Sequence, residues 1–143
     1  PYTSSAASDV YKRQTYTTMS KELSDDSYYI LSFWATWCVP CINELDALNE
    51  VYDELSKDLN FKVYAISTDD ARTKRRVRPL VNGKSWKFDV LLDENHDLKR
   101  ALNISGLPHT IIAKQNEILH RRVGYAPGEE LDLLEKLKEY EVE

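Results

Sequence analysis

Cysteine is nearly absent from this chain, with Cys38 and Cys41 the 2 present in 143 residues. A pair cannot build the multi-bridge framework of a small secreted domain, and it supplies only half of a four-cysteine zinc site. Histidine is scarce too: His96, His109 and His120 occur, none at zinc-finger spacing. No apolar run approaches the ~18–20 residues of a membrane-spanning helix. Nor is there an excess of positive charge. Nineteen Lys and Arg against 24 Asp and Glu leave a net charge of −5, so bulk electrostatics excludes a nucleic-acid partner. What remains, 42% hydrophobic and 30% charged residues, is the balance of a soluble globular protein with one core.

Residues 1–14 (PYTSSAASDVYKRQ) show no periodicity, no initiator Met and no apolar stretch of a secretory signal. They resemble translated adaptor sequence and are read as a non-native or disordered leader. Residues 15–143 are then read as a single domain, with the genuine N-terminus and any export signal expected to be missing.

The two cysteines sit in Trp37-Cys38-Val39-Pro40-Cys41, directly after an apolar run. At a strand-to-helix junction this spacing closes a small disulfide ring and puts the first sulfur at a helix N-terminus. Backbone N–H groups and the helix dipole stabilise a thiolate there. Lowering a thiol pKa from about 8.5 to about 7 raises the thiolate fraction at neutral pH from roughly 3% to about half. The chemistry indicated is thiol–disulfide exchange, with Cys38 as nucleophile and Cys41, one turn further in, resolving the mixed disulfide. The redox-active pair is itself the reactive group, and no separate cofactor or metal is called for. Pro40 stiffens the ring and withholds an N–H from the sulfurs.

Residues 28–34 (YYILSFW) read as a buried central strand, apolar on both faces. Leu45, Leu48, Tyr52, Leu55 and Leu59 form the inner stripe of a helix running to about Leu59. Residues 61–67 read as a second strand. Asp69 and Asp70 look like an N-cap for a helix with Val77, Leu80 and Val81 inward, ended by Asn82-Gly83. A strand at 88–92 and a helix at 95–102 follow. Strands at 109–113 and 118–123 flank a turn at 114–117, and a last helix has Pro127 near N1 and Leu131, Leu134 and Leu137 as its apolar residues. The order β–α–β–α–β–α–β–β–α implies a mainly parallel sheet with helices on both faces and an antiparallel edge hairpin.

The segment Phe33-Trp34-Ala35-Thr36-Trp37-Cys38-Val39-Pro40-Cys41 resembles the active-site segment of thioredoxin-fold proteins, and most of all the TlpA/ResA branch of bacterial disulfide reductases. Glu44 stands where that branch commonly carries an acidic residue. Gly106-Leu107-Pro108-His109-Thr110 is similar to the loop whose proline is cis and packs against the cysteines. The helix and strand between Thr68 and Leu92 resemble the αβ insertion that separates the branch from minimal thioredoxins. The likeness covers roughly residues 23–140. Two positions depart from it: the leading β-hairpin is absent or reduced to 15–26, and Ser32 stands where a minimal thioredoxin has a buried aspartate.

The resemblance implies a thiol–disulfide oxidoreductase acting as a reductant outside the cytoplasm, periplasmic or membrane-tethered. Its partners would be disulfide- or thiol-bearing proteins and a membrane-embedded thiol electron donor; a monomer is expected. Glu44, if buried, would have a raised pKa and exchange a proton with Cys41. Trp37, Pro40, Leu107 and Pro108 would meet substrate: Trp37 packs beside the disulfide, and a cis Pro108 offers the Leu107 backbone to an extended segment. His109 is expected to bond backbone at the start of its strand. The basic run Arg72, Lys74, Arg75, Arg76 and Arg78 reads as a solvated face, and Trp86 as a core cap beneath the inserted strand. Two other functions compete: a copper- or zinc-handling protein using Cys38, Cys41 and His109, and a peroxiredoxin-like peroxidase, disfavoured because no proline-containing peroxidatic pattern precedes Cys38.

Overall fold

Strand β1 (Tyr28–Trp34) is buried at every position, because both of its faces are covered and both of its edges are paired. The computed structural model describes residues 26–142, so the leader at 1–14 and nearly all of the expected hairpin remnant at 15–26 lie outside the described residues. After β1 come α1 (Val39–Ser56), β2 (Phe61–Ser67), a 3-10 turn (Lys74–Arg76), α2 (Val77–Lys84), β3 (Asp89–Leu92) and α3 (Asp97–Ala101). Then β4 (His109–Lys114), β5 (Glu117–Val123) and α4 (Glu129–Val142) complete the described chain.

The five strands form one sheet in the order β3-β2-β1-β4-β5. The β1, β2 and β3 strands are mutually parallel, while β4 runs antiparallel to β1 and β5 antiparallel to β4. Alternation along β1 splits the core. Tyr28, Ile30 and Trp34 face the layer holding Cys41, Leu45, Leu48, Val77, Val81 and the α4 leucines. Tyr29, Leu31 and Phe33 face Leu98, Ile104 and Ile111. Trp86 sits under the inserted strand as expected, 1% exposed, edge-on to Trp34 and stacked on Phe88.

Several boundaries differ from the pattern-based reading. Helix α1 stops at Ser56, and the N–H groups of Asp58 and Leu59 both donate to the Leu55 carbonyl, tightening the last turn. Leu59 still packs in the core, from the loop. Helix α2 runs through Gly83 to Lys84, and Ser85 (φ 56°) makes the left-handed turn that brings Trp86 back under the sheet. There the Trp86 indole N–H and Lys84 Nζ both donate to the Asp46 carboxylate. The turn between β4 and β5 has positive φ at both Gln115 and Asn116, the mirror-image geometry suited to a twisted hairpin. Helix α4 begins at Glu129, two residues after Pro127. Its inner face is Leu133, Leu134 and Leu137, whereas Leu131, expected inside, is 56% exposed. The later start leaves Leu131 in the first turn, on the solvent side.

Candidate active site

The cysteines lie at the C-terminal end of β1, where the chain turns into α1. Residues 35–37 make that turn, and the Cys38 N–H donates to the Ala35 carbonyl. Cys38 is the N-cap of α1, Pro40 occupies the first turn, and no acidic side chain sits in that turn to oppose the dipole. The two sulfurs are joined as a disulfide. The Cys41 backbone N–H donates to Cys38 Sγ at 3.3 Å, so a helix-end donor already points at the sulfur that would become anionic. Cys38 is 7% exposed and Cys41 0%. Cys38 opens on a cleft of about 200 Å³ lined by Trp37, Lys99, Ser105, Gly106 and Leu107. Trp37 is 60% exposed, a projecting wall rather than a core residue. The Leu107–Pro108 peptide bond is cis, and Pro108 is buried at the start of β4.

Glu44 follows Cys41 by one turn on the same buried face of α1 and is 1% exposed. Its Oε1 accepts hydrogen bonds from Thr110 Oγ1 at 3.0 Å and Ser32 Oγ at 3.3 Å. Ser32 and Thr110 are register partners across β1 and β4, which puts both hydroxyls on the helix side of the sheet. Ser32 thus serves a carboxylate that comes from the helix. Burial pushes the Glu44 pKa up to about 7, against the hydrogen bonds of Thr110 and Ser32 and the charge of Arg122, which favour the anion. At neutral pH it can both take and give a proton.

The AhpC/TSA family matches residues 6–122. The chain belongs to that family. The thiol-disulfide oxidoreductase ResA of Bacillus thuringiensis is 29% identical over 103 residues, 71% of this chain and 58% of that protein. The chain therefore spans well under two thirds of the length of this curated relative. Among solved structures, a thioredoxin-like protein from Porphyromonas gingivalis is 37% identical with a TM-score of 0.70, covering 80% of this chain and 75% of its own. A thiol-disulfide oxidoreductase from Bacteroides fragilis is 27% identical with a TM-score of 0.66, covering 83% and 85%. This is a ResA-like member of the AhpC/TSA family with a thioredoxin-like fold, as the cysteine segment implied.

Within this AhpC/TSA domain, Asp69, Asp70 and His109 make contacts other than those expected from the sequence. Asp69 does not cap a helix: it is fully buried, and its carboxylate accepts from the Thr36 N–H at 3.0 Å, Thr36 Oγ1 at 2.6 Å, Ser67 Oγ at 2.6 Å and Thr73 Oγ1 at 2.7 Å. It pins the turn that presents Trp37 and Cys38. Asp70, instead of capping a helix, accepts from the Arg72 backbone N–H at 2.9 Å. His109 does not bond backbone. Arg121 Nη1 donates to its Nε2 at 3.3 Å, because Arg121 pairs with Ile111 and so projects from the same side of the hairpin as His109. Nδ1 is buried with no partner among the described residues. Burial and the Arg121 charge hold the imidazole below its ordinary pKa.

The basic run is solvent-exposed at Arg72, Lys74, Arg75, Arg76 and Arg78, and Lys74 pairs with Glu94. Among the described residues no three His, Cys, Asp or Glu side chains come together as metal ligands. Nor is any described helix long and apolar enough to cross a membrane. Sequence reasoning gave Asp69 the wrong role and passed over Lys99, which lines the cleft. Asp69 had a visible acidic side chain but a partner 33 residues away, and Lys99 had no motif around it.

Proposed function

We propose that this protein is a thiol–disulfide oxidoreductase that reduces disulfides in protein substrates through Cys38 and Cys41. The observation that carries the reading is Cys38 at the N-cap of α1, at the mouth of the cleft, accepting from the Cys41 N–H while Cys41 stays buried.

In the reduced protein the Cys38 thiolate attacks one sulfur of a substrate disulfide. A Cys38–substrate S–S bond forms, the substrate S–S bond breaks, and the departing substrate thiolate takes a proton from water. Glu44, as carboxylate, accepts the Cys41 proton. The Cys41 thiolate then attacks Cys38 Sγ, closing the internal disulfide and expelling the second substrate thiolate. Two electrons have moved from the protein to the substrate, and an external dithiol must restore Cys38 and Cys41. Trp37 and Leu107 line the cleft onto which Cys38 opens; in this reading they meet the substrate together with Pro40 and Pro108, and the Leu107 backbone takes an extended segment as an added strand would.

The TlpA/ResA resemblance supports action outside the cytoplasm and re-reduction by a membrane-embedded dithiol donor. Labelling of Cys38 in intact cells by a membrane-impermeant maleimide checks the location; protection until lysis rejects it.

The central test is a redox titration against glutathione, with Cys38→Ser as control. A midpoint close to about −270 mV supports a reductase, and one near −120 mV an oxidase. Failure of the reduced wild-type protein to reduce any peptide disulfide faster than the control sinks the proposal.

A further inference from the structure

The cleft beside Cys38 does not end at Lys99 and Ser105. Those two residues also border a wider depression of about 500 Å³, whose other walls include His96, Arg100 and Asn103. A substrate segment lying over Cys38 and continuing along the surface therefore passes Lys99.

The charges around this path are unevenly satisfied. Asp93 is buried and accepts from the backbone N–H groups of Leu98 at 3.1 Å and Lys99 at 2.9 Å. Glu94 accepts from Lys74 Nζ at 2.9 Å, and Asp97 from Arg100 Nη2 at 2.8 Å. Each carboxylate of the segment is thus engaged. Lys99, half-buried, makes no side-chain hydrogen bond or ion pair with any described residue. In a chain of net charge −5, Lys99 thus lines the cleft at the attacking sulfur with no counter-charge on its ammonium from any described residue.

We propose that Lys99 is a specificity-determining residue that selects disulfide-bearing protein segments with an aspartate or glutamate close to the attacked cysteine. The inference rests on the exchange reading given above. An extended segment advances ~3.4 Å per residue, so a carboxylate within about three positions of the cysteine can reach the ammonium. Its attraction to Lys99 is stronger at this half-buried rim than in open water, and a lysine on the segment is repelled by the same amount.

The test uses peptides carrying one internal disulfide and differing only in a Glu, Gln or Lys two positions from the cysteine. Each is reduced by the full chain under excess dithiol, and kcat/KM is compared within one protein variant. Any change in the Cys38 thiolate fraction then cancels from the ratio. For wild type the Glu peptide is expected to exceed the Lys peptide about tenfold at low salt, falling to about twofold near 0.5 M salt. The ratio should approach one in Lys99→Gln and invert in Lys99→Glu. Equal rates for all peptides with wild type overturn the role of Lys99 and leave the oxidoreductase reading standing, as does a wild-type ratio that both variants retain. If no peptide is reduced at all, the exchange reading fails and the inference goes with it.

Discussion

A carboxylate with almost no exposure, held by two hydroxyls and with no cation of the described residues within bonding distance, is costly to ionise. For Glu44 burial outweighs the Thr110 and Ser32 hydrogen bonds and the Arg122 charge, so its pKa rises from 4.5 to about 7. The native state therefore binds the proton more tightly than the unfolded chain. Stability from this group is complete below about 4.5 and is lost as pH rises through about 7. The loss across that window is about 3 kcal/mol. Glu44→Gln keeps an acceptor for both hydroxyls and removes the ionisation, so urea unfolding between pH 4.5 and 8 should lose most of its downward slope. An unchanged slope would assign the pH dependence to another group. The same variant should slow the Cys41 attack that expels the second substrate thiolate more than the first attack by Cys38. Asp69 differs in its partners: four donors surround it, and Asp69→Ala orphans a backbone N–H and several hydroxyls. Thermal unfolding should report a loss of about 3 kcal/mol, with partial rescue by Asp69→Asn. The two residues differ in legibility for a physical reason. Glu44 is three positions from Cys41 on one helix, so spacing alone puts them on one face. Asp69 meets Thr36 only because β1 and β2 pair in parallel, with Trp34 opposite Ser67.

Elements were readable from their periods, but their phase was not always. Strand β2 and the hairpin fall where alternating and turn residues place them. In α4 the leucines alone are ambiguous, because Leu131, Leu133, Leu134 and Leu137 permit more than one inner stripe. The start at Glu129 and the seating of Tyr140 select one: the Tyr140 hydroxyl donates to the Leu119 carbonyl at 2.8 Å, and the Tyr28 hydroxyl donates to the Tyr140 carbonyl at 2.9 Å. Leu133→Ala should then cost about 3 kcal/mol, while Leu131→Ala stays within about 0.5 kcal/mol. Comparing the two midpoints in urea decides between the stripes, and a larger loss at Leu131 would refute the assignment.

For the whole molecule, α4 is part of the core rather than an appendage. Leu133, Leu134 and Leu137 are 1%, 3% and 0% exposed and pack in the same cluster as Cys41, Leu45 and Trp34. A chain ending at Pro127 gives up about 2 kcal/mol for each of these leucines, together with both tyrosine anchors. Against a total stability of about 5–15 kcal/mol, the shortened chain should bind ANS and melt without a cooperative transition; a sharp melt would show that α4 is dispensable. By itself the sequence determined the candidate site's nearest neighbours: Cys38, Cys41 and Glu44 lie along one helix end, and local spacing is enough to place neighbours. The run of apolar residues in β1 likewise dictated a central strand. Only the tertiary structure decided what comes to meet them. Asp69 beneath the Thr36 turn, Thr110 and Ser32 on the Glu44 carboxylate, Arg121 on His109, and Lys99 in one cleft with Trp37 are brought together by strand pairing and loop return. Those contacts join residues far apart in the chain, and no periodicity or local motif encodes them.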